Sequence, residues 1–497
     1  MQARIPDWLW LLRHEEKTAL IDEHGAYSYA QLATMTSHLA AYLQEIGLGR
    51  SSKIALLARD PLIFAALTHA VRFIEGILIP INTRLLDGEI AWQCQDVGID
   101  AFFVDEGHAL RLQKVREVCA IKIGTYGVIE RAKLNALTLS QSVGALVAPE
   151  GIALKAIATI IYTSGTTGKP KGAMISYEHH LYAAMMSAFR LGLDEHEVWL
   201  TAMPLFHVGG QGVLMRSVIY GTTAYIMERF DEQIFNCLLT QGQVTLVSVV
   251  PAMLSRMLQG REQGYHERLR CVLLGGGPVS MPLLMRAKEL GVPVSQTYGM
   301  TETNAQFSTL APRDSLRKFG SAGKPLVQNE LCILDENGQS LPPNTPGEIV
   351  VRGPTVIDGY YHQEEATRKA FSDGWFHTGD LGYVDDQGYL FVLDRMHDLI
   401  VSGGENVYPA EIESVLMTYE GVKEVGVVGK ADARYDQVPI AFVVLEEYVG
   451  TITQEVLIHF CEQHVAHYKV PKEIRFVEAL PRNASAKLLR RELLTWV

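Results

Sequence analysis

The stretch that most restricts this chain is Ile160–Gly172, which reads I-I-Y-T-S-G-T-T-G-K-P-K-G. The apolar run Ala158–Tyr162 reads as a buried strand, and a helix is predicted from about Tyr177. Between them Thr163, Ser164, Thr166 and Thr167 alternate with Gly165, Gly168 and Gly172, and Lys169 and Lys171 add positive charge. Small residues let backbone amides approach a polyanion, so the segment reads as a phosphate cradle. A Walker-type P-loop is excluded. That motif needs glycine where Thr163 stands and a hydroxyl residue where Pro170 stands. A plain Gly/Thr linker fits poorly, because a strand feeds the loop directly and two lysines lie in it.

At 497 residues, 48% hydrophobic and 20% charged, the chain is an ordinary globular one that needs more than one core. Its net charge of −12 argues against nucleic acid as a partner, while leaving room for a nucleotide held by a local group of cations. The cysteines at 94, 119, 237, 271, 332 and 461 have no paired spacing, which fits reduced thiols and a cytoplasmic protein rather than a zinc site. Trp8–Leu12 is too short for a signal-peptide core, and no apolar run approaches the ~20 residues of a membrane span.

From the N-terminus, helical spacing over residues 28–47 is followed by a strand at Lys53–Leu57 and a helix at Pro61–Glu75. A strand at Gly76–Ile81, a helix at Asp87–Asp96 and a strand at Ala101–Val104 come next. Such alternation predicts βαβ units and a largely parallel sheet. Arg72, Arg111 and Lys114 read as solvated helix or loop charges, and Tyr126–Ala148 as an aperiodic connection. Beyond the cradle, Met203–Arg216 joins a proline turn to His207 and small residues, as suits a close-packed pocket wall. Cys271–Pro278 is a strand running into the glycines Gly275, Gly276 and Gly277.

Together with Gln296-Thr-Tyr-Gly-Met-Thr-Glu-Thr303, Gly374-Trp-Phe-His-Thr-Gly-Asp380 and Pro481-Arg-Asn-Ala-Ser-Ala-Lys487, these strings resemble the adenylate-forming superfamily. That family includes acyl-CoA synthetases, aryl-CoA ligases, luciferases and peptide-synthetase adenylation domains. The likeness runs from about Ser28 to Arg490, with the motifs in family order. It implies a mixed α/β fold with a large N-terminal domain of βα layers over residues 1–394. A hinge at 395–398 and a small mobile α+β domain at 399–497 would complete it. It further implies ATP, Mg²⁺ and coenzyme A acting on a small carboxylic acid, and suggests a homo-oligomer.

Residue by residue, the resemblance assigns the phosphates to Thr163, Ser164, Gly165, Thr166, Thr167 and Lys171, and the adenine to Gly275–Gly277, Thr297, Tyr298 and Gly299. Thr301 would touch the α-phosphate and Glu302 would hold Mg²⁺, a carboxylate suiting a hard cation. Asp380 and Arg395 would bind the ribose, Gly403 and Gly404 would line the CoA tunnel, and Lys487 would be the catalytic lysine. Phe206 and His207 would lie over the acyl pocket. Two positions depart from the pattern: His397 stands where the hinge residue is commonly Asp or Lys, and Ala486 where Gly precedes the lysine. Gln211 and Arg216 follow His207, and an arginine there could hold a second carboxylate of the acid by bidentate hydrogen bonds. Arg216 as a surface helix charge is the plain alternative. Two other readings remain, a general aryl- or medium-chain acyl-CoA ligase and a module that loads a carrier protein. Asp314-Ser315-Leu316 resembles a carrier attachment site, but falls inside the catalytic domain, where no carrier fold fits.

Overall fold

Strand and helix alternate from the start of the chain because each helix carries its own start signal. Ser28 caps the helix Tyr29–Glu45: its hydroxyl accepts from the amide of Gln31, whose side chain accepts in turn from the amide of Ser28. Asp60 caps Pro61–Phe73, where a proline in the first turn needs no partner for a missing N–H. In the computed structural model, residues 4–119, 124–139, 148–163, 170–277, 279–395, 398–402, 405–432, 435–446, 452–482 and 488–497 are described.

Most strands fall into three sheets. The first has the order Lys171–Ser176, Ile157–Thr163, Ile77–Pro80, Lys53–Leu57, Ala101–Asp105, Thr125–Ile129, parallel apart from its first pair. The second is larger. Its parallel centre runs Thr18–Asp22, Thr223–Ile226, Val198–Thr201, Leu246–Val249, Cys271–Leu274, Val294–Tyr298. Beyond Val294–Tyr298 it continues antiparallel through Ser308–Thr309 and Ser321–Pro325 to Leu390–Arg395 and Trp375–Val384. The third belongs to a small C-terminal domain, where the long hairpin Val422–Asp432/Asp436–Leu445 packs against the helices Pro409–Leu416 and Gln454–His464. The fold is therefore mixed α/β, with a large N-terminal and a small C-terminal domain.

Two readings are corrected. Residues 126–148 are more than a connection, since Thr125–Ile129 is a strand and Arg131–Leu139 a helix. That strand is the half-exposed edge of its sheet, so it lacks the continuous apolar run of its neighbours. The helix is tied down by tertiary ion pairs from Arg131 to Asp22 and Asp60. Arg72 is not solvated either: it is 4% exposed, on a helix whose every residue is buried. Its guanidinium meets Asp7 at 2.6 and 3.0 Å, reaches His69 Nδ1 at 2.9 Å and lies over the Trp8 ring. Arg111 is half-buried and pairs with Asp87, whereas Lys114 is exposed as read.

The C-terminal domain meets the large sheet at Arg490. This arginine binds Glu413 at 2.6 Å and lies 3.5 Å from Asp398 and 3.7 Å from Asp394, at the end of the Leu390–Arg395 strand. Burial raises the Glu413 carboxyl from its usual range, and the Arg490 charge opposes that shift.

Removing one partner of a buried pair strands the other charge. Arg72→Ala is expected to destabilise the N-terminal domain by about 3–5 kcal/mol in urea unfolding. Adding Asp7→Ala should recover part of that loss, because no uncompensated charge then remains.

Candidate active site

The phosphate segment sits at the end of a β-hairpin. Ile157–Thr163 and Lys171–Ser176 pair antiparallel with Thr163 opposite Lys171, so the intervening loop starts and ends on paired backbone. The sequence reading carried the loop towards a helix at Tyr177, and the returning strand intervenes before that helix, Tyr177–Leu191. Ser164, Gly165, Thr166 and Thr167 lie outside the described residues, as do Gly403, Gly404 and Lys487, together with the departures His397 and Ala486.

Glu302 comes to the mouth of this hairpin on the short turn Thr301–Thr303. Its Oε1 accepts from the Thr163 hydroxyl at 3.4 Å and from the Tyr360 phenol at 3.1 Å. Lys171 Nζ stands 5.0 Å from the centre of the Tyr360 ring. A carboxylate, two hydroxyls and an ammonium group thus converge where the phosphate loop closes. The donor set fits Mg²⁺, which takes hard oxygen ligands and is usually held by one or two carboxylates plus substrate phosphates. Tyr360 is the residue the sequence reading missed. It carries no motif signal, and only the fold brings it to Glu302.

Tyr298 ends the central parallel strand, and its phenol donates to Asp380 Oδ2 at 2.7 Å. Asp380 is in turn the cross-strand partner of Arg395. Three of the residues assigned to adenine and ribose therefore share one neighbourhood, although 82 residues separate Tyr298 from Asp380. The nearby glycines have distinct reasons. Gly276 has φ +85°, and a Cβ on Gly275 would come within 2.9 Å of Thr297 Cγ2. At Gly299 a Cβ would lie 1.6 Å from the Ala305 carbonyl oxygen, so close backbone packing alone demands glycine there. Gly277 has open space around it. Thr297 is committed to the sheet, its hydroxyl donating to the Ser308 carbonyl at 2.8 Å.

His207 is the first, capping residue of the helix Val208–Tyr220, with its ring 4.6 Å from that of Phe206. A Cβ on Gly210 would meet the Pro204 carbonyl oxygen at 2.4 Å, so the proline turn and the helix start can touch only at glycine. Val208 packs in one apolar cluster with Tyr298, Met300 and Phe307, which joins this wall to the adenine motif. Gln211 is 1% exposed and lines a small internal cavity with Met215, Arg72 and His180.

Arg216 is 4% exposed, which removes the surface-charge alternative. Its guanidinium lies 5.5 Å from the Trp199 ring, and its Nε and Nη2 are buried without a hydrogen-bond partner among the described residues. Burial lowers its proton affinity from the usual arginine value. Asp314-Ser315-Leu316 caps and follows a short turn of the large domain, where the Ser315 hydroxyl donates to the Pro312 carbonyl.

Comparison with known proteins gives the class to which a chain of this fold belongs. Residues 9–361 match the AMP-binding enzyme family and residues 411–487 its C-terminal domain. The chain belongs to the AMP-binding enzymes. It is 45% identical over 496 residues to a 2-succinylbenzoate–CoA ligase from a Geobacillus species, covering 99% of this chain and 98% of the relative. The o-succinylbenzoate CoA synthetase of Bacillus subtilis in complex with its acyl-adenylate intermediate superposes with a TM-score of 0.90 at 37% identity, over 99% and 98% of the two chains. The same synthetase with ATP and magnesium ion scores 0.89 at 37% identity, over 99% and 100%. No helix among the described residues is long and apolar enough to cross a membrane.

The Tyr298–Asp380 bond tests the nucleotide half of the site. Hydrogen bonds to charged groups contribute about 1.5–3 kcal/mol. Tyr298→Phe is therefore expected to weaken AMP binding roughly 10-fold or more by calorimetry, with the fold intact by circular dichroism.

Proposed function

We propose that this chain is the ATP-dependent ligase that converts 2-succinylbenzoate, ATP and CoA into 2-succinylbenzoyl-CoA, AMP and diphosphate, a step of menaquinone biosynthesis, in the cytoplasm. The observation that carries the choice of acid is Arg216. A guanidinium stays charged in a protein, and a buried charge without a partner costs several kcal/mol. Arg216 lies on the helix Val208–Tyr220 that His207 caps, and on this reading it meets the acid's second carboxylate. A fatty acid would instead require an apolar tunnel free of fixed charge. The full-length likeness to 2-succinylbenzoate–CoA ligases supports the same choice.

The reaction has two halves. An oxygen of the succinyl carboxylate attacks the α-phosphorus of ATP, the bond to the bridging oxygen breaks, and diphosphate leaves. The CoA thiol, giving up its proton, then attacks the acyl carbon, and AMP leaves with the bonding pair. The difficulty in the first half is an anion approaching a polyanion. Thr163, Lys171 and the loop 164–169 hold the phosphates, Tyr298 takes the adenine, and Asp380 with Arg395 takes the ribose hydroxyls. Thr301 meets the α-phosphate. Glu302 would hold Mg²⁺, which supplies neutralising charge between the phosphate oxygens. His207 borders the acyl group, Gln211 backs that wall, and Lys487 stabilises charge developing between carboxylate and α-phosphate.

The second half needs a clear path for the thiol, which Lys487 in place would obstruct. A C-terminal domain over 399–497, turning on a hinge at 395–398 against the 1–394 domain, serves both halves. It presents Lys487 first and the Gly403–Gly404 loop afterwards.

AMP release with CoA, MgATP and o-succinylbenzoate, benzoate, 4-coumarate or octanoate tests the substrate. Turnover is expected with o-succinylbenzoate alone. Arg216→Ala should raise its KM about 30-fold or more, the ~2 kcal/mol lower end for truncating a buried charged pair. Preference for a monocarboxylate, or indifference to the substitution, would leave only a general acyl-CoA ligase. Lys487→Ala should slow pyrophosphate exchange on the order of 10²–10³-fold. Thioester formation from preformed acyl-adenylate should be retained, since that half does not use the lysine.

A further inference from the structure

Tyr360 lies at a crossing of three active-site segments. Its backbone pairs with Ala173 on the returning strand of the phosphate hairpin. On either side, the Met174 amide donates to the Gly359 carbonyl at 3.2 Å and the Tyr361 amide to the Gly172 carbonyl at 2.8 Å. The same segment reaches the Glu302 turn, where the Ile357 amide donates to the Glu302 carbonyl at 2.9 Å. Its own amide donates to the Thr367 hydroxyl at 3.0 Å. The ring is 6% exposed, so the phenol has little freedom to turn away.

Two contacts leave this fixed ring in different directions. The phenol donates to Glu302 Oε1 at 3.1 Å, and the ring face carries Lys171 Nζ at 5.0 Å. With Oε1 engaged by Tyr360 and Thr163, no hydrogen bond among the described residues reaches Oε2. The carboxylate is thereby turned with one oxygen held and the other presented.

We propose that Tyr360 is a positioning residue for the metal–nucleotide site. It orients the Glu302 carboxylate through its hydroxyl, and separately steadies Lys171 through its ring. The proposal rests on the reading that Glu302 holds Mg²⁺. Partners that orient a metal-binding carboxylate commonly account for 10–100-fold in metal affinity or activity.

The test separates hydroxyl, ring and carboxylate. ATP binding is measured by calorimetry with and without Mg²⁺, and pyrophosphate exchange is titrated with Mg²⁺, for the wild type and for Tyr360→Phe, Tyr360→Leu and Glu302→Gln. Tyr360→Phe is expected to bind Mg²⁺-free ATP like the wild type, while needing roughly 10–100-fold more Mg²⁺ for half-maximal exchange. Tyr360→Leu should also lose about 2–5-fold in Mg²⁺-free ATP affinity, because Lys171 then lacks its aromatic support. A wild-type Mg²⁺ dependence in Tyr360→Phe beside a shifted one in Glu302→Gln would overturn the proposal alone. So would an equal loss of Mg²⁺-free ATP binding in Tyr360→Phe. An unshifted Glu302→Gln would overturn the metal reading of Glu302, and this proposal with it.

Discussion

The pairing of Thr163 with Lys171 is the constraint on which the site depends. It sets the strands that flank residues 164–169 side by side, with a returning strand ahead of the helix at Tyr177. The ends of the loop are then spaced by a sheet register, and the hairpin is a surface against which other segments can dock. Residues 359–361 dock there by backbone hydrogen bonds, and Glu302 arrives through the Thr163 and Tyr360 hydroxyls. Backbone pairing has a fixed geometry, so everything that touches the hairpin inherits its precision. The Cβ of any residue other than glycine at Gly172 would meet Ile160 Cγ2 at 2.8 Å, which keeps the two strands in contact at that point.

Three arginines show how the same residue type on a helix takes different roles. Arg72 is buried and matched by one bidentate carboxylate, which ties the N-terminal Asp7 segment to the core. Arg490 is half-buried beside three carboxylates, Asp394 of the large sheet, Asp398, and Glu413 of the small domain. Arg216 is buried with two guanidinium nitrogens, Nε and Nη2, unpartnered among the described residues. The first two are balanced by carboxylates of the fold, whereas the third leaves a positive charge inside the large domain.

Much of this was legible in the chain. The strand–helix alternation up to Val104 followed from apolar runs and their spacing, and Lys53–Leu57 has the predicted bounds. The grouping of Tyr298 with Asp380, and of Thr163 with Lys171 and Glu302, followed from motif resemblance and matches the contacts found. The failures have a common cause. The Thr125–Ile129 strand and the Arg131–Leu139 helix lack apolar periodicity, because an edge register and ion pairs with distant aspartates hold them. Arg72 looked solvated because a helical charge gives no sign of the segment that will cover it.

Residue type and order in the sequence determined which chemistry this chain can perform. Glycines, hydroxyls and lysines in one loop, a carboxylate in another and an aspartate in a third are all readable along one dimension. Tertiary structure alone decided which of those groups are oriented, and by what. The phenol of Tyr360 on Glu302, the burial of Arg216 over Trp199 and the distance from Arg490 to Asp394 join residues far apart in sequence. No local propensity encodes such contacts. They follow from how whole elements pack, since hydrogen bonds and ion pairs depend on distances that only the folded chain sets.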